Sequence, residues 1–170
     1  VEEDLEYYSV LRALGAIRRA DVCVMMIDAE QGVTEQDVKI LGYIHEQSKP
    51  SVVVMNKWDL IEKDSNTINK FNADLAEALK FMDYFIPIYV SAKTGQRVDK
   101  ILSVCETALA NSERRIPTGQ LNDLILDCVR ANEPPSYNGK RLKISYATQV
   151  GTRPPSFVFR QRREPVAFFV

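Results

Sequence analysis

The chain has 170 residues, of which 45% are hydrophobic and 26% are charged, a balance typical of a folded globular protein rather than a disordered one. Its apolar runs have the length of β-strands, well short of the roughly 18 residues of a membrane-spanning helix, and no segment has the features of a secretory signal. We therefore expect one ordinary domain or two small ones, without a membrane span.

The net charge of −1 conceals a division along the chain. Residues 1–112 carry 12 Lys and Arg against 18 Asp and Glu, whereas residues 113–170 carry 10 against 5. A basic segment of this kind suits a polyanionic partner such as RNA, and it is equally compatible with an ordinary solvated surface. Charge alone leaves both interpretations open.

The number and spacing of the cysteines bear on disulfide formation and therefore on the cellular compartment. Cys23, Cys105 and Cys128 lie among apolar neighbours and show no C-x-x-C spacing. A disulfide framework or a zinc site is therefore not expected. We predict buried, reduced thiols and a cytoplasmic location.

Residues 1–112 alternate helical and strand-like patterns. Strands are predicted at 22–27, 52–55 and 85–90, with helices near 11–19, 34–45, 66–81 and 98–110. Thr34 with Asp37 predicts a capping box, and Asp64-Ser65-Asn66 is expected to cap the third helix. Near-continuous apolar strands that alternate with helices predict an α/β fold, with a parallel sheet covered on both faces.

One helical face in this part is predicted in detail. The fourth helix should bury its apolar positions against the sheet, and these are Val98, Ile101, Leu102, Cys105 and Leu109.

The pattern changes after residue 113. A short link is followed by a helix that Thr118 can cap, with Leu121, Leu124, Ile125 and Cys128 on its inner face and an end at 133–135. Residues 141–147 and 156–160 then alternate polar and apolar, which predicts two half-exposed strands. We expect a separate, small α+β module.

The motif Asn56-Lys57-Trp58-Asp59 directly follows the second strand and predicts a loop that selects guanine. The Asp59 carboxylate would accept hydrogen bonds from both N1–H and the 2-amino group of the base. Adenine lacks these donors, and a site built around them discriminates by ~10⁴ or more. Asn56 would bond around the base edge and tie neighbouring loops together, the stem of Lys57 would lie along the ring, and Trp58 would pack.

A second loop, Ser91-Ala92-Lys93, follows the third predicted strand. A backbone N–H from Ala92 or Lys93 would point at the guanine O6 atom. Each motif has a plain structural alternative: Asn and Asp shape turns, and Ser91 or Thr94 can cap a helix. The pairing of the two motifs at strand ends, where α/β sheets bind ligands, gives the guanine interpretation its specificity.

The sequence contains no G-x-x-x-x-G-K-[ST] loop, the backbone cradle that holds nucleotide phosphates. The residues that would read a base are thus present without those that would hold its phosphates. We do not expect this chain to hydrolyse a nucleotide by itself.

Together these segments closely resemble the Der (EngA) GTPases. The resembling segments are residues 8–14, 28–37, 56–60, 91–98, 139–144 and 147–152, and the similarity extends to about Phe159. The resemblance implies two consecutive GTPase domains, a C-terminal KH-like domain and a role in assembly of the bacterial large ribosomal subunit. By it, residues 1–112 form the later part of the second GTPase domain, and residues 113–170 form a KH-like domain that is incomplete at its end.

The resemblance also implies roles for individual residues. Guanine recognition in GTP or GDP falls to Asn56, Lys57 and Asp59, with Ser91, Ala92 and Lys93 closing over the base. It implies no catalytic residue here, and the ligands of the family's Mg²⁺ lie outside this chain. Contacts with ribosomal RNA or the large subunit are expected from four basic residues, Lys140, Arg141, Lys143 and Arg153.

Two alternatives remain open at this point. The chain could be a nucleotide-independent RNA- or protein-binding fragment whose partial GTPase fold is a scaffold, with the basic residues facing solvent. It could also belong to another KH-bearing ribosomal GTPase family such as Era. Those proteins keep the G-x-x-G clamp on RNA, which residues 113–170 lack.

Overall fold

The computed structural model describes residues 2–82, 84–132, 136–137, 140–141, 144–161 and 165–169. The chain divides into two compact units, Val1–Leu109 and Ala110–Val170. The division falls three residues before the boundary predicted from the change in sequence pattern. Within the described residues, no helix is both long enough and apolar enough to cross a membrane.

The first unit is built on a parallel sheet. Its three strands, in spatial order, are β1 (Cys23–Asp28), β2 (Ser51–Asn56) and β3 (Ile88–Tyr89). The helices are α1 (Glu2–Arg19), α2 (Glu35–Glu46), α3 (Thr67–Ala78) and α4 (Asp99–Glu113), the last of which runs into the second unit. The predicted α/β class with a parallel sheet is confirmed.

The central strand β2 is apolar on both faces because helices cover both. Val53 and Met55 belong to the larger core cluster with residues of α2 and α3, whereas Val52 and Val54 belong to a second cluster with residues of α4. Successive side chains of a strand point to opposite faces, so a strand between two helical layers needs a continuous apolar run. The run 52–55 satisfies that requirement.

The helix-start predictions had different outcomes. The capping box of α2 is confirmed: the Asp37 N–H donates to Thr34 Oγ1 at 3.2 Å, and the Thr34 N–H donates to Asp37 Oδ2 at 2.9 Å. Of the predicted cap Asp64-Ser65-Asn66, Asn66 is the N-cap residue of α3 but makes no side-chain cap bond. The Asp64 carboxylate organises this turn, accepting from the Asn66 N–H at 2.7 Å.

The third strand is shorter than predicted. It covers residues 88–89 rather than 85–90, and Ile86 is 79% exposed. Pro87 has no N–H to donate to the ladder of strand hydrogen bonds, which explains why pairing begins only after it. The apolar residues in the first half of 85–90 were therefore wrongly predicted to be part of the strand.

The buried face of α4 also differs from the prediction. Leu102 is 73% exposed, and Val98 precedes the helix and is exposed as well. The residues of α4 that pack against the second core cluster are Ile101, Val104, Cys105 and Ala108. Helical geometry brings residues at this spacing to one side of the helix. The prediction erred because Leu102 is apolar without facing the sheet.

The cysteines are free thiols, as expected, but not all are buried. Cys23 is buried, Cys105 is partly buried and Cys128 is exposed. Burial raises the pKa of the Cys23 thiol above its ordinary value. The prediction of a buried thiol was wrong for Cys128, because the inward face of its helix is narrower than the apolar pattern suggested.

The second unit combines one helix with short strands. After α5 (Thr118–Ala131) come β4 (Ser136–Tyr137) and β5 (Lys140–Arg141), which pair antiparallel, then β6 (Ile144–Gly151), β7 (Ser156–Gln161) and β8 (Pro165–Phe169). The last three form an antiparallel sheet in the order β6-β7-β8. The predicted α+β character holds, and β8 is an additional strand. The predicted helix end at 133–135 lies outside the described residues.

The start and inner face of α5 need correction. Pro117 is the N-cap residue, and Thr118, the predicted cap, is already helical with no side-chain cap bond. Of the predicted inner face, Leu121 is buried, whereas Leu124 is exposed. The helix contacts the sheet along a narrower stripe than the four apolar residues indicated.

Side-chain amides connect α5 and the preceding link to β6. Asn122 accepts from the Ala147 N–H at 2.8 Å and donates to the Ala147 carbonyl at 2.8 Å, much as a neighbouring strand would. The buried Gln149 accepts from the Ile116 N–H at 2.7 Å and donates to the Arg114 carbonyl at 3.0 Å. These bonds satisfy main-chain groups that burial would otherwise leave unpaired.

Replacing Asn122 with alanine should destabilise the second unit. The change leaves the N–H and carbonyl of the fully buried Ala147 without their partner, and an unsatisfied buried polar group costs about 1–3 kcal/mol. Urea denaturation should show a lower free energy of unfolding for Asn122→Ala. The control is Gln120→Ala, an exposed position on the same helix, and an equal loss in both variants would contradict the role of Asn122.

Candidate functional site

The carboxyl ends of the three parallel strands lie along one edge of the sheet. β1 ends at Asp28, which is in register with Asn56 at the end of β2, and β3 ends at Tyr89. In open α/β sheets this edge is where ligands bind. Both sequence motifs begin here, Asn56-Lys57-Trp58-Asp59 after β2 and Ser91-Ala92-Lys93 just beyond β3.

Main-chain hydrogen bonds continue past the strands and hold these loops together. The Val90 N–H donates to the Met55 carbonyl at 2.8 Å, and the Trp58 N–H donates back to the Val90 carbonyl at 3.0 Å. On the other side, the Ala29 N–H donates to the Asn56 carbonyl at 2.9 Å. The loop after β2 is thus fixed by its neighbours on both sides.

The side chain of Asn56 joins the two motifs directly. Its Oδ1 atom accepts a hydrogen bond from the Ala92 N–H at 3.0 Å. Ala92 was one of two residues whose N–H was predicted to point at a base, and this N–H is engaged by Asn56 in the structure. Asn56 therefore connects the two loops through its Oδ1 atom. Its Nδ2 group is the hydrogen-bond donor of the same side chain.

The second loop closes on itself around a buried serine. The Ser91 N–H donates to the Gln96 carbonyl at 3.1 Å, and Ser91 Oγ accepts from the Thr94 N–H at 3.2 Å. Gly95 has φ of 76°, a left-handed conformation that glycine adopts without steric cost. These bonds fix the shape of the residues that precede α4.

Asp59 is the acidic group at the centre of the predicted site, and Ser91 lowers the pKa of its carboxyl. A hydrogen bond from the Ser91 side chain is the main cause that lowers the pKa of the Asp59 carboxyl, with smaller contributions from the positive charges of Lys93 and Lys63. The structure thus brings together Asp59, Ser91 and Lys93 from two separate loops. At neutral pH the carboxylate is a pure hydrogen-bond acceptor.

Lys57 extends toward the end of β1 and forms an ion pair there. Its Nζ lies 2.5 Å from Asp28 Oδ2, while Asp28 Oδ1 accepts from the Glu30 N–H at 3.0 Å. The hydrogen bond from Lys57 is the largest cause that lowers the pKa of Asp28. Lys57 itself has φ of 62°, so it sits in a left-handed conformation that directs its side chain across the loop.

Asp28 was not among the residues predicted for the site. The available signal was its position, since an acidic residue at the carboxyl end of a parallel strand lies on the same edge as the two motifs. The partner of Asp28 could not be predicted from local patterns, because its pairing with Lys57 depends on the register of β1 against β2.

Trp58 packs beneath the loop, as predicted. It is 2% exposed, and its ring lies 4.3 Å from that of Tyr89 and 5.0 Å from that of Phe71, measured between centroids. Tyr89 donates its hydroxyl to Asn72 Oδ1 at 2.7 Å, and burial raises the pKa of Tyr89 to about 12. This aromatic cluster anchors the loop while Asn56 and Asp59, on either side, stay partly exposed.

The four basic residues predicted to contact RNA belong to the second unit. Arg153 forms an ion pair with Glu113, and its N–H donates to the Ser112 carbonyl at 3.2 Å. Lys140 and Arg141 lie in β5, and Lys143 lies outside the described residues. The positive charge of Arg153 is therefore shared with a carboxylate.

The strand-end site presents hydrogen-bonding groups on two adjoining loops. The part of the chain that the structure describes contains no cluster of three or more His, Cys, Asp or Glu side chains that could hold a metal ion. The residues present therefore do not fit a Mg²⁺ site on their own. They do offer an ionised carboxylate, an amide and main-chain donors on two adjoining loops, which fit the hydrogen-bonding edge of a purine base.

Comparison with family models assigns a class to each unit. Residues 8–111 match the model for the Elongation factor Tu GTP binding domain. Residues 115–166 match the model described as KH-domain-like of EngA bacterial GTPase enzymes, C-terminal. The fold and the two strand-end loops therefore define part of a GTP-binding domain, and a KH-like module follows it.

Curated relatives narrow the class to one family. The chain is 55% identical over 159 residues to GTPase Der of Clostridium perfringens and 50% identical over 159 residues to GTPase Der of Clostridium botulinum. The chain belongs to the Der (EngA) family, as the resemblance predicted. Each alignment covers 94% of this chain and 36% of the relative, so the chain spans about a third of the length of these relatives.

Two solved structures are among those that show partial similarity to the chain. A probable GTP-binding protein engB has a TM-score of 0.49 at 21% identity, covering 64% of this chain and 68% of that one. Era in complex with MgGDPNP and nucleotides 1506–1542 of 16S ribosomal RNA has a TM-score of 0.48 at 26% identity, covering 61% and 34%.

Removing the Ser91 hydroxyl should raise the pKa of Asp59. The hydrogen bond from Ser91 favours the charged carboxylate, so its loss in Ser91→Ala shifts the titration of Asp59 to higher pH, toward the ordinary value of about 3.9. NMR titration of the carboxyl carbon measures this shift. Ser103→Ala, whose hydroxyl bonds the Lys100 carbonyl in α4, is the control, and an unchanged Asp59 titration in Ser91→Ala would refute the assigned cause.

Proposed function

We propose that the strand-end site binds the guanine base of GTP or GDP within a Der-type GTPase. The observation that carries the proposal is the pairing of the two loops, in which the Asn56 side chain bonds the Ala92 N–H and a hydrogen bond from Ser91 lowers the pKa of Asp59. The position of these groups at the strand-end edge supports the proposal, because α/β sheets bind ligands there. Membership in the Der family supports a guanine nucleotide as the ligand.

Each group has a role set by its hydrogen-bonding capacity. Asp59 accepts from N1–H and the 2-amino group, which adenine cannot supply at those positions. The Lys93 N–H is the donor for O6, since the Ala92 N–H already bonds Asn56. The Nδ2 group of Asn56 donates to the base edge.

Lys57 completes the base site through its aliphatic stem. Its ammonium is held by Asp28 at the end of β1, so the stem is stretched across the loop surface and can cover one face of the purine ring. Asp28 thereby acts as a positioning residue for Lys57. Base recognition in this proposal rests on residues from all three strand ends.

The complete activity belongs to a longer protein. We infer that the family member hydrolyses GTP in assembly of the large ribosomal subunit, and that this stretch supplies guanine recognition and an interaction module. No residue of this chain is assigned to the phosphates, to Mg²⁺ or to catalysis, because phosphoryl transfer needs a phosphate loop that the sequence does not contain.

The second unit is the proposed contact with ribosomal RNA. Its excess of basic residues supports this role, since residues 113–170 carry twice as many Lys and Arg as Asp and Glu. Lys140, Arg141 and Lys143 stay candidates from the sequence. Arg153 must compete with its own ion pair to Glu113, so it is the weakest of the four predicted contacts.

A second candidate function is binding of RNA or protein without a nucleotide. The observation that favours it is the bond between Asn56 and Ala92, which already engages one of the two predicted base donors. In that case the loops only brace the sheet. Nucleotide titration distinguishes the two functions.

Guanine recognition can be tested by NMR even when affinity is weak. Addition of GDP should shift amide resonances at residues 56–59 and 91–93, with ADP binding at least about tenfold more weakly because adenine lacks the donors for Asp59. In Asp59→Asn the preference should move to xanthosine diphosphate, since the new amide donates to the 2-oxo group.

The control for this exchange is Asp74→Asn, an exposed position on α3 that loses the same charge. It should keep the wild-type preference for GDP. If GDP and ADP shifted the same resonances equally, or if Asp59→Asn kept the preference for GDP over the xanthosine nucleotide, the guanine site would be rejected and the scaffold function favoured.

A further inference from the structure

The sheet of the second unit has one covered face and one open face. Along β6, Ala147 and Gln149 are buried on the side where α5 packs. Tyr146, which is 45% exposed, and Thr148 alternate with these residues and therefore lie on the face opposite α5. Val150 is 56% exposed but follows Gln149 at a register shift, where the alternation is interrupted.

The neighbouring strand extends this open face and adds a positive charge to it. Tyr146 pairs with Arg160 across the antiparallel ladder, and Thr148 pairs with Val158. Residues directly opposite one another in such a ladder project to the same side. An exposed aromatic residue therefore lies beside an exposed arginine on this face of the three-stranded sheet, with Val158 next to them.

Charge is distributed unevenly around this unit. Residues 144–161 contain no Asp or Glu, whereas Asp123 and Asp127 are exposed on α5, which covers the other face. Ile144 pairs with Gln161, so the chain enters β6 and leaves β7 at one end of the sheet, the end that carries Tyr146 and Arg160. Five further basic residues directly precede β6 or follow β7 in sequence: Lys140, Arg141, Lys143, Arg162 and Arg163.

We propose that the open sheet face, defined by Tyr146, Thr148, Val158 and Arg160, binds single-stranded RNA. An unpaired base stacks on the Tyr146 ring, and Arg160 contacts the adjacent phosphate. Single strands suit the surface because a base in a duplex cannot present its ring face to a side chain. The inference rests on the proposed RNA role of the second unit and assigns it to a surface other than Lys140, Arg141, Lys143 and Arg153.

The face fits a polyanion better than an apolar protein surface. Its only charged side chain is cationic, and the nearest cations in the sequence flank it on both strands. A purely apolar partner would leave Arg160 without a counter-charge at the interface, which is costly when a charge is desolvated. Phosphate supplies that counter-charge, and base stacking uses the exposed ring.

The test uses the full chain and a fluorescein-labelled single-stranded RNA of about ten nucleotides, a length that matches known stacking surfaces. Fluorescence anisotropy should show about tenfold weaker binding for Tyr146→Ala, because one stacked base is lost. Tyr146→Phe keeps the ring and should bind within about twofold of the wild type. Unlabelled duplex RNA should compete poorly.

The charge contribution is separated by salt titration. Arg160→Ala should weaken binding and reduce the slope of log affinity against log salt by about 0.7, the value for one phosphate contact on a single strand. The matched control is Arg130→Ala, which removes an equal charge from α5, where Arg130 pairs with Asp127. It should leave the slope unchanged.

The outcomes distinguish the sheet face from the broader RNA role. A wild-type chain without RNA binding would overturn both. RNA binding that Tyr146→Ala leaves intact, or that Arg130→Ala weakens as much as Arg160→Ala, would overturn the sheet face alone. A wild-type dimer in sedimentation that Tyr146→Ala dissociates, with RNA affinity unaffected, would show the face to be an interface between copies.

Discussion

The parallel pairing of β2 with its two neighbours is the constraint on which the candidate site depends. It sets Asp28 beside Asn56 and brings Val90 alongside Met55, so that three strand ends meet at one edge. The same ladder of hydrogen bonds then continues into the loops, through Trp58 and Val90 and through Asn56 and Ala92. The shape of the loops therefore depends on the register of the sheet. A slip of one residue in the pairing of the strands would separate every group proposed to read the base.

Electrostatics adds a second constraint at the same edge. Asp28 and Asp59 both have lowered pKa values, for which the leading causes are hydrogen bonds from Lys57 and Ser91 respectively. A carboxyl with a lowered pKa contributes stability that is present above its unfolded pKa of about 3.9 and is lost as the pH falls through its lower folded value. Both groups are thus charged at neutral pH, where a carboxylate can only accept hydrogen bonds.

Local patterns predicted much of this architecture. The apolar run of β2, the capping box of α2 and both loop motifs depend on residues close in sequence, and the structure places them as expected. The features that sequence reasoning missed depend on distant partners. Asp28 meets Lys57 only through strand register, Leu102 is exposed because of how α4 lies on the sheet, and the length of β3 is limited by Pro87. In the second unit, the amide bonds of Asn122 and Gln149 are tertiary contacts that no periodicity encodes.

Trp58 gives this site an optical consequence. It is the chain's single tryptophan, and it is buried inside the very loop that carries Asn56 and Asp59. Tryptophan emission from the protein therefore comes entirely from beneath the loop that is proposed to contact the base. The ring's contacts with Phe71 and Tyr89 shield it from water, so its emission reports the packing of this one loop. The protein therefore carries an intrinsic fluorophore directly beneath the proposed nucleotide site.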